Sequence, residues 1–255
     1  MKLPTEKSKN IRVNPKTMVL FSQPKVGKTT ALSQLDDCLI VDLEEGSNFV
    51  EALKFDVIKE AKKSKKLPII ILKKLINTIK QNNAKIDGYT YKYLAIDTVT
   101  ALEEIVMPYA CQLYRNTPMG KNWKGEDVTQ LPQGAGYGYL RTALSNILTE
   151  LEDICDTLII LGHVKDKLVE KEGKEMNERG LALIGKTSSI LCSQVDAVGY
   201  MYRDDENKVF INFAASESLL SGSRSKHLRG KELLFGELDD SEESVFYWDK
   251  VFIKE

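Results

Sequence analysis

Residues 20–35, LFSQPKVGKTTALSQL, decide how this chain is read. The stretch holds Gly27-Lys28-Thr29, the end of the phosphate-binding pattern G-x-x-x-x-G-K-[ST], but Ser22 stands where that pattern has its first glycine. Gly-Lys-Thr alone is a weak signal, and its context strengthens it. The apolar run Met18–Phe21 leads in as a strand, and TTALSQL continues as a helix. In that setting Gly27 allows close backbone approach to an anion. The amides of Val26 to Thr30 open a helix N-terminus toward it. Lys28 is placed to reach terminal phosphates, and the Thr29 hydroxyl to bind Mg²⁺. The expected phosphate-binding set is therefore Ser22, Gln23, Pro24, Lys25, Val26, Gly27, Lys28, Thr29 and Thr30. Ser22 must then take the conformation glycine normally takes there. A plain helix start with Lys28 and Thr29 exposed is the alternative.

Working outward, such a loop needs a second acid on the metal side, at the end of a neighbouring strand. YKYLAIDTVTAL (91–102) supplies Asp97, which alone reads equally well as the N-cap of a helix beginning near Thr100. Hydrolysis also needs a group to polarise water. CLIVDLEEGSN (38–48) ends a strand with Asp42, Glu44 and Glu45, or else forms a solvated acidic turn at Gly46.

Four short apolar runs, 18–21, 38–43, 93–97 and 157–161, suit strands buried on both faces of a parallel sheet. Between them, Ile71, Leu72, Leu75, Ile76 and Ile79, and Leu140, Leu144, Ile147, Leu148 and Leu151, recur at helical spacing. The alternation predicts an α/β fold with a mainly parallel sheet flanked by helices over about residues 12–200. Residues 197–215 read as a hairpin and SVFYW (244–248) as a further strand, a β-rich extension over about 197–255. One domain spanning 1–255 is expected. Residues 114–138 and 164–185 read as long loops, which are uncommon unless functional. KKSKK (62–66) reads as a solvated linker before Pro68.

The bulk composition excludes several classes. The 255-residue chain is 42% hydrophobic and 29% charged, as a globular protein is. Its net charge of −1 gives no global field toward nucleic acid or membrane, so any polyanion must be held by a local patch. Cys38, Cys111, Cys155 and Cys192 lie far apart with no C-x-x-C pair, against a disulfide or zinc framework. MKLPTEKSKN has no apolar signal core, and no run approaches about 18 apolar residues, so a cytoplasmic location without membrane contact is expected.

The order of these elements, from the 20–35 loop through DLEEG and AIDT to TLIILGHVKDK (157–167), resembles the RecA-like P-loop NTPase core. More closely it resembles the phage-encoded RecA-like group of Sak-type single-strand annealing proteins, over about Val13 to Phe235, with SGSRSKHLRGK (221–231) as a late shared motif. The resemblance implies an ATPase that binds ATP with Mg²⁺, with Lys28 at the phosphates and with Thr29 and Asp97 at the metal. Glu44 takes the place of the water-activating glutamate, Glu45 being its fallback. His163 takes the place of a γ-phosphate sensor, where RecA itself has glutamine. It further implies DNA recombination or annealing activity in the bacterial host cytoplasm, with single-stranded DNA and other copies of the chain, in a ring or filament, as partners. For this group a single-strand-binding protein is a further partner that no residue here shows. The two long loops correspond to DNA-contacting loops. The first offers Tyr114, Arg115, Lys121, Trp123, Lys124, Tyr137 and Tyr139. The second offers Lys165, Lys167, Lys171, Lys174 and Arg179 among as many acids, and reads equally well as a solvated charged hairpin. Arg224, Lys226, Arg229 and Lys231 form the most basic patch, fit for DNA phosphates or for a neighbour's ATP as a trans-acting cation, or simply a surface turn. Another P-loop ATPase remains the alternative: a helicase loader, a motor or an AAA+ remodeller, the last disfavoured by the β-rich C-terminal third. A small-molecule kinase and a non-catalytic nucleotide sensor also stay open.

Overall fold

The computed structural model describes Leu3, Thr5, residues 11–171 and residues 174–254. Buried apolar runs form β1 (Thr17–Ser22), β2 (Cys38–Asp42), β4 (Tyr93–Asp97) and the first part of β5 (Thr157–Lys171), while β3 (Lys54–Asp56) is a short, exposed to half-buried edge strand. They are followed by β6 (Lys174–Leu181), β7 (Ala197–Arg203), β8 (Val209–Asn212), β9 (Gly222–Ser223), β10 (Glu232–Leu238) and β11 (Ser244–Phe246). The helices are α1 (Lys28–Ser33), α2 (Val57–Ser64), α3 (Pro68–Ile86), α4 (Val99–Ile105), α5 (Met107–Arg115), α6 (Gly136–Glu152) and α7 (Thr187–Gln194).

Local chemistry sets several starts. Asp56 caps α2 by accepting from the Lys59 amide, and Pro68, which has no amide hydrogen to lose, opens α3. KKSKK is not a linker: Lys62 to Ser64 form the last turn of α2, where cations complement the helix dipole.

One sheet runs in the order β11-β10-β8-β7-β1-β5-β4-β2-β3, with β6 on β5 and β9 on β7. The pairs from β7 through β1, β5, β4 and β2 to β3 are parallel, so these strands all end at the same edge. The C-terminal strands β8, β10 and β11 continue that sheet antiparallel, as the hairpin pattern predicts. The α/β class with a mainly parallel sheet is thus as expected.

Strand alternation divides the core. Val19 and Phe21 face a cluster covered by α2 to α7, while Met18 and Leu20 face the opposite side. That second side is covered by the short α1 together with Leu228, Phe235, Phe246, Trp248 and Val251. A large ring such as Trp248 buries roughly 150–250 Å², about 4–6 kcal/mol gross at 25 cal/mol per Å². The C-terminal segment is therefore a main part of one core layer.

Both expected long loops are structured. Residues 164–181 form an antiparallel hairpin, with Val164 opposite Leu181 and Lys167 opposite Glu178. The side chains of Lys171 and Lys174 lie outside the described residues. In the first loop, Tyr114 packs edge-on against Trp123 at 5.3 Å and against Tyr139 at 5.2 Å. Arg115 lies over Trp123 and donates to the carbonyls of Trp123 and Gly125. Tyr114, Trp123 and Tyr139 thus pack against one another, while Tyr137, Lys121 and Lys124 stay exposed.

All four cysteines are free, and no helix among the described residues is long and apolar enough to cross a membrane.

Candidate functional site

Parallel register brings the candidate residues to one edge. Ser22 lies opposite His163 across β1 and β5, and Asp42 opposite Asp97 across β2 and β4. Because β5 lies between β1 and β4, His163 stands between the phosphate-binding loop and Asp97. Such a strand edge is where open α/β sheets bind ligands.

Ser22 is fully buried and ends β1. It is not among the residues with positive φ, so it does not adopt the special conformation that the missing glycine suggested. The left-handed positions in this loop are Lys25 (φ 67°) and Gly27 (φ 106°). A Cβ on Gly27 would also stand 3.2 Å from the Phe246 ring. The Ser22 hydroxyl donates to the Gln23 carbonyl at 2.7 Å and accepts from Lys28 Nζ at 2.8 Å. Lys28 Nζ also donates to the Gln23 carbonyl at 3.2 Å. Burial lowers the Lys28 pKa, while Asp97 and Glu44 act to hold it up. Gln23, Pro24 and Lys25 are exposed at the turn of the loop, with Val26 and Thr30 half-buried behind them.

Thr29 Oγ1 donates to Asp97 Oδ2 at 2.6 Å. Burial raises the Asp97 pKa; the Thr29 bond opposes this, Glu44 and Asp42 add to it, and Lys28 opposes it. A hydroxyl and a carboxylate converging beside a phosphate cradle are two hard oxygen donors, which fits Mg²⁺ that takes its other ligands from phosphates and water. Among the described residues no cluster of three or more His, Cys, Asp and Glu could hold a metal. The N-cap alternative for this strand end is met by Thr98, whose side chain caps α4 at Ala101. The Asp97–Thr98 peptide is cis.

The three acids after β2 separate by geometry. Asp42 is buried and accepts from the amides of Glu44, Gly46 and Ser47 and from the Ser47 hydroxyl. Burial pushes its pKa up, but these bonds outweigh it and the net shift is down. Asp42 therefore shapes the turn. Glu45 (φ 58°) pairs outward with Lys62 at 2.7 Å. Glu44 turns inward: Oε1 accepts from the Thr98 hydroxyl at 2.5 Å, and both oxygens lie 3.2–3.3 Å from His163 Nε2. With Nε2–H donating, His163 Nδ1 is left buried without a hydrogen-bond partner.

Behind the site, Glu103 on α4 is buried, and its carboxylate accepts from the Ile184 amide at 3.0–3.1 Å. Burial raises its pKa from the ordinary 4.5 to about 7, with Glu104 adding to this and the Ile184 bond and Lys165 opposing it. A raised folded-state value gives stability that is full below pH 4.5 and lost as pH rises through about 7. Glu103→Gln should therefore flatten the pH dependence of stability. The difference between variant and wild type should change by up to about 3 kcal/mol between pH 4.5 and 8, read by urea unfolding.

The remaining candidates lie elsewhere. Lys165 and Lys167 are exposed on β5, at alternate positions from His163 and hence on its strand face. Arg224, Lys226 and Arg229 lie at the opposite edge of the sheet, beside the start of β7. Arg224 pairs with Asp196, which also accepts from the Lys16 amide ahead of β1, and donates to the Ser193 and Gln194 carbonyls. Arg229 donates to the Ser223 and Arg224 carbonyls. With Arg12 and Lys226 they line a groove of about 460 Å³.

Two contacts at the loop have no motif in the sequence. Arg203 Nη2 donates to the Val26 carbonyl at 3.3 Å. The C-terminal segment also grips α1: Gln34 bonds Ser244 and Phe246 of β11, and Trp248 Nε1 donates to the Ala31 carbonyl at 2.7 Å. Only the topology brings these residues to positions some 180–220 residues earlier in the chain.

A buried lysine on a glycine loop, a threonine paired with a strand-end aspartate and a glutamate facing them define a P-loop nucleotide site. The AAA domain family matches residues 14–225, and the chain belongs to that family, an AAA-type P-loop ATPase domain. No curated protein matches the chain. The match corrects the use of the β-rich C-terminal third against an AAA relationship: β7 to β9 lie within the matched residues, and β10, β11 and the residues that brace α1 lie beyond them.

Proposed function

We propose that the chain is an ATP-dependent, single-stranded-DNA-binding protein of the recombination or annealing kind, as in the Sak-type group, hydrolysing ATP as a single unit of core and C-terminal extension. The observation that carries this is the path of β5. His163 contacts Glu44 at the nucleotide edge, and the same strand face continues through Lys165 and Lys167 into the hairpin. One strand thus joins the group at the nucleotide edge to two exposed lysines, Lys167 standing opposite Glu178.

In this role Glu44, oriented by Thr98 and His163, accepts the proton of the attacking water. The water oxygen bonds to the terminal phosphorus as the bridge to ADP breaks. Lys28 offsets the charge developing on the phosphates. Mg²⁺, held by Thr29 and Asp97, supplies further charge neutralisation when bound. Arg224, Lys226 and Arg229, at the far edge, reach an ATP site only in a neighbouring copy. A trans role for them therefore requires head-to-tail assembly into a ring or filament. A single-strand-binding protein would be a further partner.

The AAA domain match favours a second reading, a helicase loader or remodeller that acts on a protein. Anisotropy of a labelled single-stranded oligonucleotide, with and without Mg-ATP at two salt concentrations, separates them. Salt-sensitive binding that responds to nucleotide and prefers single strands is expected. No binding under any condition would leave the ATPase with a protein partner instead.

A further inference from the structure

Two cations rest against the phosphate-binding loop, and the motif accounts for one. Lys28 is held by Ser22 and the Gln23 carbonyl. On the other flank Arg203, the last residue of β7, donates to the Val26 carbonyl at 3.3 Å. Its Nη2 also lies 3.6 Å from where a Cβ on Gly27 would stand. Its other arm donates to the Asn207 carbonyl at 2.8 Å. Asn207 belongs to the β7–β8 turn, which is itself braced: Asp204 Oδ1 accepts from the Glu206 and Lys208 amides, and Asp204 N donates to the Lys208 carbonyl. The guanidinium therefore has one firm anchor and one long contact to the loop. A guanidinium carries five N–H donors, and these bonds use two.

Its place in the sheet indicates which part of a ligand it meets. Asp97 and Glu44 come from β4 and from the turn after β2, on one side of β1, and β7 lies on the other. A triphosphate whose terminal phosphate meets Lys28 beside those acids turns its other end toward β7. We propose that Arg203 is a nucleotide-binding residue that holds the phosphates nearer the nucleoside, those ADP shares with ATP. The proposal rests on this loop being a nucleotide site. A purely structural role, tying the hairpin to the loop, would instead lower stability and leave the affinities for both nucleotides unchanged.

The test titrates wild type, Arg203→Ala, Arg203→Lys and Lys28→Ala with Mg-ATP and with Mg-ADP by calorimetry, beside thermal unfolding of each free protein. Arg203→Ala should weaken both nucleotides alike, by about 10- to 100-fold, since charge-assisted hydrogen bonds are the strong ones. Its Tm should stay within about 3 °C of wild type. Arg203→Lys should recover part of the affinity by keeping the charge without the fork. Unchanged affinity in Arg203→Ala, or a loss confined to Mg-ATP, overturns the proposal while the nucleotide site stands. Wild type that binds neither nucleotide overturns the site itself and the proposal with it. If Arg203→Ala does not fold, Arg203→Lys decides: weaker binding of both nucleotides at an unchanged Tm supports the role, and wild-type affinity overturns it.

Discussion

Lys28→Ala should reduce ATP hydrolysis by about 10³-fold or more and weaken Mg-ATP binding. Removing one preorganised stabilising donor from an enclosed site costs about 10²–10³-fold, and here the donor is also the cation that faces a group of acids. Lys28 is 7% exposed, with Asp97 and Glu44 acting on its charge from one side and the loop's own oxygens holding its Nζ. Without the ammonium, incoming phosphates meet Asp97 and Glu44 with the buried cation that faces those acids removed. Phosphate release at saturating Mg-ATP, with circular dichroism to show that the variant folds, is the measurement. Turnover equal to wild type would remove this loop from the chemistry altogether.

The parts of this site that were legible in the sequence are those carried by contiguous pattern. Apolar runs of four to six residues announced β1, β2, β4 and the start of β5, and a strand end is a short, readable feature. Hence Gly27, Lys28, Thr29 and Asp97 are legible in local pattern, and Glu44 only as one of three strand-end acids. The structure adds what a template cannot: Ser22 ends an extended strand, so glycine's conformational freedom is not needed there, and its hydroxyl takes up the Lys28 ammonium. Choosing Glu44 over Glu45 depended on resemblance. The geometry supplies a physical ground for it, since a left-handed Glu45 turns toward Lys62 while Glu44, also exposed, turns toward Thr98 and His163.

What the sequence hid has two causes. The segment 164–181 mixes charge into both alternating faces, so it reads as either a functional loop or a solvated charged hairpin, and the pairing of β5 with β6 shows the hairpin. The 114–138 segment has no periodicity at all, because its order comes from Tyr114, Trp123, Tyr139 and Arg115 packing among themselves. Arg203 and the C-terminal grip on α1 are a different case. Each is an unremarkable residue in sequence, and the sheet order alone makes it a neighbour of the phosphate loop.

Glu44→Gln should keep Mg-ATP binding near wild type and lower hydrolysis by about 10²–10⁴-fold, the range of a positioned general base. The amide keeps the size of the carboxylate, and its oxygen can still accept from Thr98, so the turn shaped by Asp42 stays intact. What it loses is the ability to take a proton. Glu45→Gln, by contrast, breaks an exposed pair with Lys62, worth about 0–1 kcal/mol, and should leave turnover unchanged. Measuring both variants for single-turnover hydrolysis and for nucleotide affinity separates binding from chemistry. If Glu45→Gln loses hydrolysis while Glu44→Gln keeps it, the base is the neighbouring residue, and the contact between His163 and Glu44 is only structural. If neither variant loses it, water is activated by some other group, and the path from this edge along β5 to Lys165 and Lys167 no longer begins at a catalytic carboxylate.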